Sequence, residues 1–255
     1  MDVTTLKAQA DRLRDLHSGE LLVLPNVWDA GSAKVVAEAG FPAVATASAA
    51  VTEMLGYPDG EGAPWQEMFA AAGRIAAAVP VPMTVDAEAG YRLAPAQLVE
   101  ELIKAGAVGC NLEDTDHRAG GLKDAEAQAG WLAEVRAAAD AAGVPIVINA
   151  RVDAFLPSSG VAETDRIDET VRRGRLYREA GADCIYPIAV RRADDLGALI
   201  KGLDCPVNGN PSDELDLPRL RELGAARVSY GPTFYRKALA GLKSAVEGLR
   251  ASLDT

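Results

Sequence analysis

Short apolar runs alternate with longer amphipathic stretches from residue 21 to the end of the chain. The apolar runs are continuous rather than alternating, which is typical of parallel strands that are covered on both faces. They predict strands at 21–26, 43–48, 81–88, 108–114, 144–152, 183–188, 205–209 and 226–231. The stretches between them have the apolar spacing of helices, most clearly at 64–79, 95–105, 124–142 and 163–180.

Glycines mark the ends of several predicted helices. Gly40, Gly106, Gly143 and Gly181 each follow an alanine directly before the next apolar run, where glycine favours the left-handed conformation of a helix C-terminus. Eight strand–helix units after a leading helix predict a (β/α)8 TIM-type barrel of the α/β class. The alternative, a doubly wound open sheet, needs a glycine-rich first turn that "PNVWDAGSAK" does not supply. Without a linker or repeat, we predict one domain spanning residues 1–255.

Composition limits the classes of partner. The net charge is −11, whereas binding to nucleic-acid phosphates requires a basic face, so we expect no nucleic-acid partner. A small anionic substrate stays compatible, because an arginine or a metal ion can reverse the sign of a site. We expect no membrane partner and a cytoplasmic location, since the first residues resemble an amphipathic helix rather than a signal peptide. Cys110, Cys184 and Cys205 are expected to be buried thiols rather than zinc ligands.

Polar side chains lie at the ends of three consecutive predicted strands. In a barrel of this kind the active site lies at the carboxyl ends of the strands, and alternate residues of a strand share a face. Six side chains are therefore expected to point towards one place. They are Asp86 and Glu88 of the third strand, Asn111 and Glu113 of the fourth, and Asn149 and Arg151 of the fifth.

This set contains three carboxylates and one guanidinium, and one arginine cannot neutralise three acids in a barrel interior. A divalent cation can, and Mg²⁺ typically takes one or two carboxylates together with waters and substrate oxygens. The alternative is a structural ion-pair network in which some of these side chains face the helices. Both interpretations are compatible with the spacing.

Two long loops follow the second and the fourth predicted strands. The segment 48–65 has a length that is typical of functional loops. The segment 114–124, which contains His117 and Arg118, is either a lid that closes over a substrate or a solvated connector. The other histidine, His17, ends the leading helix and is expected at the surface.

Four segments together resemble the isocitrate lyase/phosphoenolpyruvate mutase superfamily: "NVWDAGSAKVVAEAGFPAVATASAA…LGYPDG", "VDAEAGY", "NLED" and "NARVDAF". The resemblance covers nearly the whole chain. It implies an α/β barrel that binds Mg²⁺, or Mn²⁺ in its place, and a small 2-oxo or 2-hydroxy carboxylate. It also implies cleavage or formation of C–C or C–P bonds through an enolate-type intermediate. A homo-oligomer, dimer or tetramer, with a C-terminal helix exchanged between subunits is implied too, and the tail from Pro232 is predicted to be that helix.

The resemblance also assigns roles to individual residues. The implied metal shell, formed largely through waters, is Asp59, Asp86, Glu88 and Glu113. The implied substrate-binding residues are Ala47, Ser48, Ala49 and Arg151, to which the strand ends add Asn111 and Asn149. Arg151 is expected to clamp the substrate carboxylate in catalysis, and His117 or Tyr57 is the candidate for proton transfer.

The loop after "LED" departs from the patterns of the better-known relatives. Isocitrate and methylisocitrate lyases carry a Cys-Gly-His stretch there whose cysteine donates a proton, whereas this chain has "TDHRAGG". The asparagine-containing lid of the mutases is also missing, and Glu88 replaces the usual second aspartate of its motif. We therefore predict a Mg²⁺-dependent C–C lyase resembling an oxaloacetate decarboxylase or an alkylmalate or methylisocitrate lyase. The alternatives are a phosphonopyruvate hydrolase or mutase-type C–P enzyme and a non-catalytic 2-oxo acid-binding barrel.

Overall fold

Parallel strands close into a ring in the computed structural model, which describes residues 1–253. The strands are β1 (Leu22–Leu24), β2 (Asn26–Val27), β3 (Val44–Thr46), β4 (Met83–Asp86), β5 (Gly109–Glu113), β6 (Val147–Val152), β7 (Cys184–Pro187), β8 (Asn208–Gly209) and β9 (Arg227–Ser229). One sheet has the order β2-β3-β4-β5-β6-β7 and the other β1-β9-β8. A bridge between Ile185 and Val207 joins the two sheets, and β1 and β2 are one strand interrupted at Pro25. The predicted eight-stranded barrel is therefore confirmed.

Helices follow the strands and cover the outside of the ring. They are α1 (Val3–Asp15), α2 (Ala30–Glu38), α3 (Ser48–Leu55), α4 (Trp65–Ala76), α5 (Pro95–Lys104), α6 (Ala125–Ala141), α7 (Arg166–Glu179), α8 (Ala193–Leu203), α9 (Leu217–Leu223) and α10 (Thr233–Ala251). Short 3₁₀ turns at Pro157–Ser159 and Glu163–Asp165 lie between β6 and α7. The helix predicted at 163–180 therefore begins at Arg166, three residues later than predicted.

Local sequence signals fix the helix ends. The glycines after α2, α5, α6 and α7 have φ values of 89°, 74°, 72° and 99°, which is the left-handed conformation expected of them. Asp29 and Ser32 form a reciprocal capping box at the start of α2. After each of these glycines, a short connection leads the chain into the next strand of the sheet.

The leading helix closes the amino-terminal end of the barrel. Leu6, Ala10 and Leu13 of α1 are buried in the main apolar core. The expectation that His17 lies at the surface is wrong, because this residue folds under the barrel and is only 6% exposed. Its Nδ1 donates to the carbonyl of Leu13 (2.8 Å), and burial lowers the pKa of its imidazole to about 4.

The last helix leaves an apolar stripe in solvent. The predicted helical tail is confirmed as α10, whose buried contact with the barrel is Tyr235 near its start. Further along, apolar side chains spaced alternately three and four residues apart are 40–69% exposed: Leu239, Leu242, Val246, Leu249 and Leu253. That spacing is typical of a helix that packs against another helix.

The expectation of buried thiols holds for two of the three cysteines, because Cys205 is only partly buried. All three cysteines are free, and Cys110 and Cys184 are buried. Among residues 1–253, no helix combines the length and the apolar character that crossing a bilayer requires.

Candidate active site at the barrel mouth

Two neighbouring cavities open at the carboxyl ends of the strands. The larger one, here the mouth cavity, has a volume of about 680 Å³, and Asp86, Asn111, Tyr186 and Asn210 are among its lining residues. The smaller one, here the lid cavity, has a volume of about 350 Å³, lies under loop 114–124 and is lined in part by Glu88, Glu113 and His117. Ser48, Asp59 and Arg151 line both, so the two cavities are compartments of one site.

The strand register brings the predicted polar residues together. Asp86, Asn111 and Asn149 lie opposite one another on β4, β5 and β6. Two residues further along, Glu113, Arg151 and Tyr186 form the next row on β5, β6 and β7. Because residues two apart point to the same side of a strand, both rows face the barrel interior.

Asp86 is held by the start of α3. Its Oδ2 accepts hydrogen bonds from the backbone nitrogen of Ser48 (3.0 Å) and from Ser48 Oγ (2.8 Å). A carboxylate at the N-terminus of a helix interacts favourably with the partial positive charge there. Asp86 Oδ1 is buried and has no hydrogen-bond partner among the described residues. Ser48, expected to bind substrate, therefore positions the Asp86 carboxylate so that one oxygen stays unused.

Glu88 does not follow the strand alternation on which its prediction depended. The strand ends at Asp86, and Glu88 lies in a turn with a φ of 49°. Its carboxylate accepts hydrogen bonds from Glu61 N and from Tyr91 Oη (2.9 Å), which turns it towards the lid cavity. Burial, reinforced by the nearby Asp86, raises the pKa of Glu88 to about 7.

Glu113 lies between two basic groups. Its Oε2 forms an ion pair with Arg151 Nη2, and its Oε1 is hydrogen-bonded to His117 Nε2. This hydrogen bond raises the pKa of the His117 imidazole. His117, which lies in loop 114–124, is thereby fastened to the end of β5, and the loop covers the lid cavity.

Arg151 is held by three contacts with two carboxylates. Its Nε and Nη2 donate to the two oxygens of Asp153 at 2.7 and 2.8 Å, in addition to the ion pair with Glu113. Asp153 is itself fully buried and receives a hydrogen bond from Thr115 Oγ1. No hydrogen bond to the described residues uses Arg151 Nη1. This nitrogen is the part of the guanidinium that is left for an anionic ligand.

A second arginine, which the sequence analysis did not single out, lies inside the barrel. Arg227 of β9 is fully buried, and its Nη2 donates to Asn111 Oδ1 (3.1 Å). Asn149 Nδ2 donates to the same oxygen at 2.8 Å, and Asn149, which was expected to bind substrate, lines neither cavity. Burial lowers the pKa of Arg227, and none of the described carboxylates lies within ion-pair distance of it. The sequence signal that could have identified Arg227 is the presence of a charged residue within the apolar run "ARVSYG".

The donor set fits a magnesium ion in part. Asp86 Oδ1 is an orphaned carboxylate oxygen at the cavity wall, which is the type of ligand that Mg²⁺ prefers. Glu88 and Glu113 are already engaged, and Asp59 is exposed on its loop. Within residues 1–253 no three Asp, Glu, His or Cys side chains converge as a ready set of metal ligands. The arrangement fits one direct carboxylate ligand, with the other acids acting through waters.

The remaining predicted residues separate into two groups. Ala47 and Ala49 line the mouth cavity beside Ser48. Tyr57 lies outside both cavities, where its hydroxyl donates to Glu67 Oε1 (2.7 Å). The structure thus brings His117 to the site and leaves Tyr57 away from it.

The fold and this acid–arginine site are those expected of a barrel enzyme, a class in which the active site lies at the carboxyl ends of the strands. A sequence profile of the phosphoenolpyruvate phosphomutase family matches residues 13–250. The chain therefore belongs to this family, within the isocitrate lyase/phosphoenolpyruvate mutase superfamily of C–C lyases and mutases.

The chain is similar in sequence to relatives that have different assigned activities. A crystal structure of a protein assigned as a phosphonomutase, from Burkholderia cenocepacia, is 39% identical with a TM-score of 0.86, over 94% of this chain and 99% of that one. The 2,3-dimethylmalate lyase of Eubacterium barkeri is 30% identical over 90% of this chain and 80% of its own length. An oxaloacetate decarboxylase of Bradyrhizobium is 28% identical over 97% of this chain and 86% of its own length.

Proposed function

We propose that this protein is a Mg²⁺-dependent lyase that cleaves a C–C bond of a small 2-oxo or 2-hydroxy dicarboxylate. The observation that carries the proposal is the pairing, in one cavity, of an orphaned carboxylate oxygen on Asp86 with the unused Nη1 of Arg151. The first group suits a cation and the second suits a carboxylate. Oxaloacetate and alkylmalates present both a carboxylate and an adjacent oxygen, and relatives are named for such substrates.

The chain's own residues would bind and orient the substrate. Arg151 holds a substrate carboxylate through Nη1 while Asp153 and Glu113 keep the guanidinium plane fixed. Ser48 and the start of α3 keep Asp86 in place. A divalent ion bound at Asp86, Mg²⁺ or Mn²⁺, would supply Lewis-acid polarisation of substrate oxygens, which favours enolate formation. Loop 114–124, fastened by His117, limits the access of water to the lid cavity.

Release of pyruvate from oxaloacetate and from alkylmalates, with and without Mg²⁺, tests this proposal. We expect turnover of at least one such acid, its loss on chelation, and a fall of about 10²-fold or more in Arg151→Met. Turnover that survives chelation, or an unchanged rate in Arg151→Met, would contradict the assignment. The folded state of the variant is checked by its thermal unfolding.

C–P chemistry is the second candidate, and the similarity to a protein assigned as a phosphonomutase favours it. The two basic residues of the lid argue against it, because Arg118 and Lys123 line a third cavity beside Trp131 and line neither the mouth cavity nor the lid cavity. Phosphate release from phosphonopyruvate would support this candidate. Calorimetric binding of 2-oxo acids without any turnover would instead support a ligand-binding barrel.

We also propose that the chain is a homo-oligomer, a dimer or tetramer, held in part by α10. Its exposed leucines and valine repeat with coiled-coil spacing over five positions, so a second copy of the same helix is a complementary partner. Light scattering of the intact protein tests this arrangement.

A further inference from the structure

Tyr186 is a buried hydroxyl group at the mouth cavity that neither the motifs nor the proposed substrate clamp uses. It lies near the end of β7 opposite Arg151 of β6, in the row that also contains Glu113. The side chain is 4% exposed and lines the mouth cavity together with Asp86 and Asn210.

Asn210 fixes the direction of this hydroxyl group. The amide nitrogen of Asn210 donates to the carbonyl of Ser229 (2.9 Å) and to Tyr186 Oη (2.7 Å). A carbonyl oxygen can only accept, so the Asn210 atom that faces Ser229 must be its nitrogen, and this settles the amide orientation. The phenol oxygen therefore accepts from Asn210, and the phenol's own hydrogen is left for another acceptor.

No acceptor for that hydrogen exists among the described residues, because Tyr186 Oη takes part in no hydrogen bond other than the one from Asn210. The cavity that Tyr186 lines is where a ligand could supply the acceptor. Burial raises the pKa of Tyr186 to about 12, so the phenol is neutral near pH 7 and retains a proton to give. The nearby guanidinium groups of Arg151 and Arg227 favour the phenolate that a transfer would leave.

We propose that Tyr186 is the proton donor to the enolate produced by C–C cleavage, and that Asn210 is the positioning residue that directs its hydroxyl group. This inference depends on the proposed lyase function. With oxaloacetate as substrate, the C3–C4 bond breaks, CO₂ leaves and the enolate of pyruvate remains. The Tyr186 O–H bond then breaks and a C3–H bond forms, using the electron pair of the enolate C2–C3 double bond, while C2–O2 becomes a carbonyl. Solvent water then returns a proton to the phenolate. Tyr186 and Asn210 would thus supply the proton that the lid cysteine, absent from this chain, donates in isocitrate and methylisocitrate lyases.

The experiment follows ketonisation of enolpyruvate, which a phosphatase releases from phosphoenolpyruvate in the cuvette, in the presence of the intact enzyme and Mg²⁺. Enolpyruvate is the protonated form of the enolate that loss of CO₂ from oxaloacetate leaves, so this substrate reports the proton-transfer step of that reaction alone. We expect the wild-type protein to accelerate the loss of enol absorbance and Tyr186→Phe to lose about 10²-fold or more of that acceleration.

Variants at Asn210 test the direction of the hydroxyl group. Asn210→Asp keeps the side-chain size but offers the phenol an acceptor, so the proton turns away from the cavity and acceleration should fall about as far as in Tyr186→Phe. Asn210→Ala leaves the hydroxyl group free to rotate and should lose less. Tyr235→Phe is the matched control, because Tyr235 packs on Trp28 and lines neither cavity.

Two further measurements separate proton transfer from folding and binding. Thermal unfolding reports the fold of each variant. Binding of oxalate, a planar dianion resembling the enolate, should change less than about threefold in Tyr186→Phe if the hydroxyl group acts in the chemical step.

The outcomes distinguish this inference from the proposed function. Equal ketonisation by wild type and Tyr186→Phe overturns the role of Tyr186. The same holds if the wild type decarboxylates oxaloacetate without accelerating ketonisation, since the enol then leaves unprotonated. Absence of both ketonisation and turnover of any 2-oxo or 2-hydroxy acid overturns the lyase function itself, and the inference with it.

Discussion

Asp86→Asn is the substitution that tests the metal site most directly. The wild-type Oδ2 accepts two hydrogen bonds from Ser48, and an asparagine oxygen can accept the same two. Its NH₂ group would then occupy the position of the orphaned Oδ1 and present hydrogens where a cation needs a lone pair. The substitution therefore removes the metal ligand with little change in shape.

The effect on stability should be small in the metal-free protein. Two hydrogen bonds to a charged acceptor become neutral ones, which costs about 1 kcal/mol each, and the removal of a half-buried charge offsets part of this loss. The effect on metal binding should be large. A saturating ligand at about 100 times its Kd stabilises the folded state by about 2.7 kcal/mol, and Asp86→Asn should lose nearly all of that increment.

Thermal unfolding with and without Mg²⁺ or Mn²⁺ measures both quantities, and calorimetry gives the metal affinity. The matched control is Asp140→Asn on the exposed side of α6, where the carboxylate is 58% exposed and 3.7 Å from Arg136. The control should keep the metal-dependent increase in Tm. If Asp86→Asn keeps it too, Asp86 is not a metal ligand and the metal shell proposed above is wrong.

Three other predictions concern pH, packing and assembly. Because the folded pKa of Glu88 is raised from 4.5 to about 7, this group should lower the free energy of unfolding of the metal-free protein by up to about 3 kcal/mol as pH rises through this window. Burial also raises the pKa values of Glu113 and Asp114, so Glu88→Gln should reduce the fall measured by denaturation at both ends rather than remove it, and an identical pH dependence in the variant would exclude this cause. Gly90 has a φ of 90°, and a Cβ there would lie 2.6 Å from the Trp131 ring, whereas Gly120 has a φ of 80° and no atom within 4 Å of its Cβ position. Gly90→Ala should therefore lower the free energy of unfolding by about 2 kcal/mol more than Gly120→Ala, and equal losses would refute the close contact. Leu242→Asp with Leu249→Asp should reduce the molar mass by light scattering, whereas a wild-type protein that is already monomeric would contradict the role of α10.

The fold was accessible from the sequence because its signals are local. Continuous apolar runs, the helical spacing between them and the glycines at the helix ends each depend on a few neighbouring residues, and they locate the elements of the barrel. The segment 48–65 is an exception, because it was predicted as a long loop and begins with helix α3. Glu88 shows where a local rule fails. Alternation placed it on the face of Asp86, but the strand ends first, and the turn sends its carboxylate to the lid cavity.

The residues that the sequence analysis missed share a different feature. Tyr186 lies on β7, Asn210 directly follows β8, and Arg227 is the first residue of β9. Their contacts join positions that lie far apart in the chain: Arg227 reaches Asn111, and Asn210 reaches both Tyr186 and Ser229. Only closure of the ring creates these contacts, so no spacing along the chain encodes them.

Arg227 also changes the electrostatic argument for a metal. One guanidinium against three carboxylates left a deficit that required a cation, whereas the closed barrel adds a second guanidinium, an imidazole on Glu113 and a fourth carboxylate, Asp153. The case for Mg²⁺ consequently depends less on total charge than on one atom, Asp86 Oδ1, which is buried and unpaired. The guanidinium groups of Arg151 and Arg227 favour anionic states of the substrate, and both lie near Tyr186. An enolate formed in this cavity would therefore meet its stabilising charges and a directed proton on the same side of the barrel.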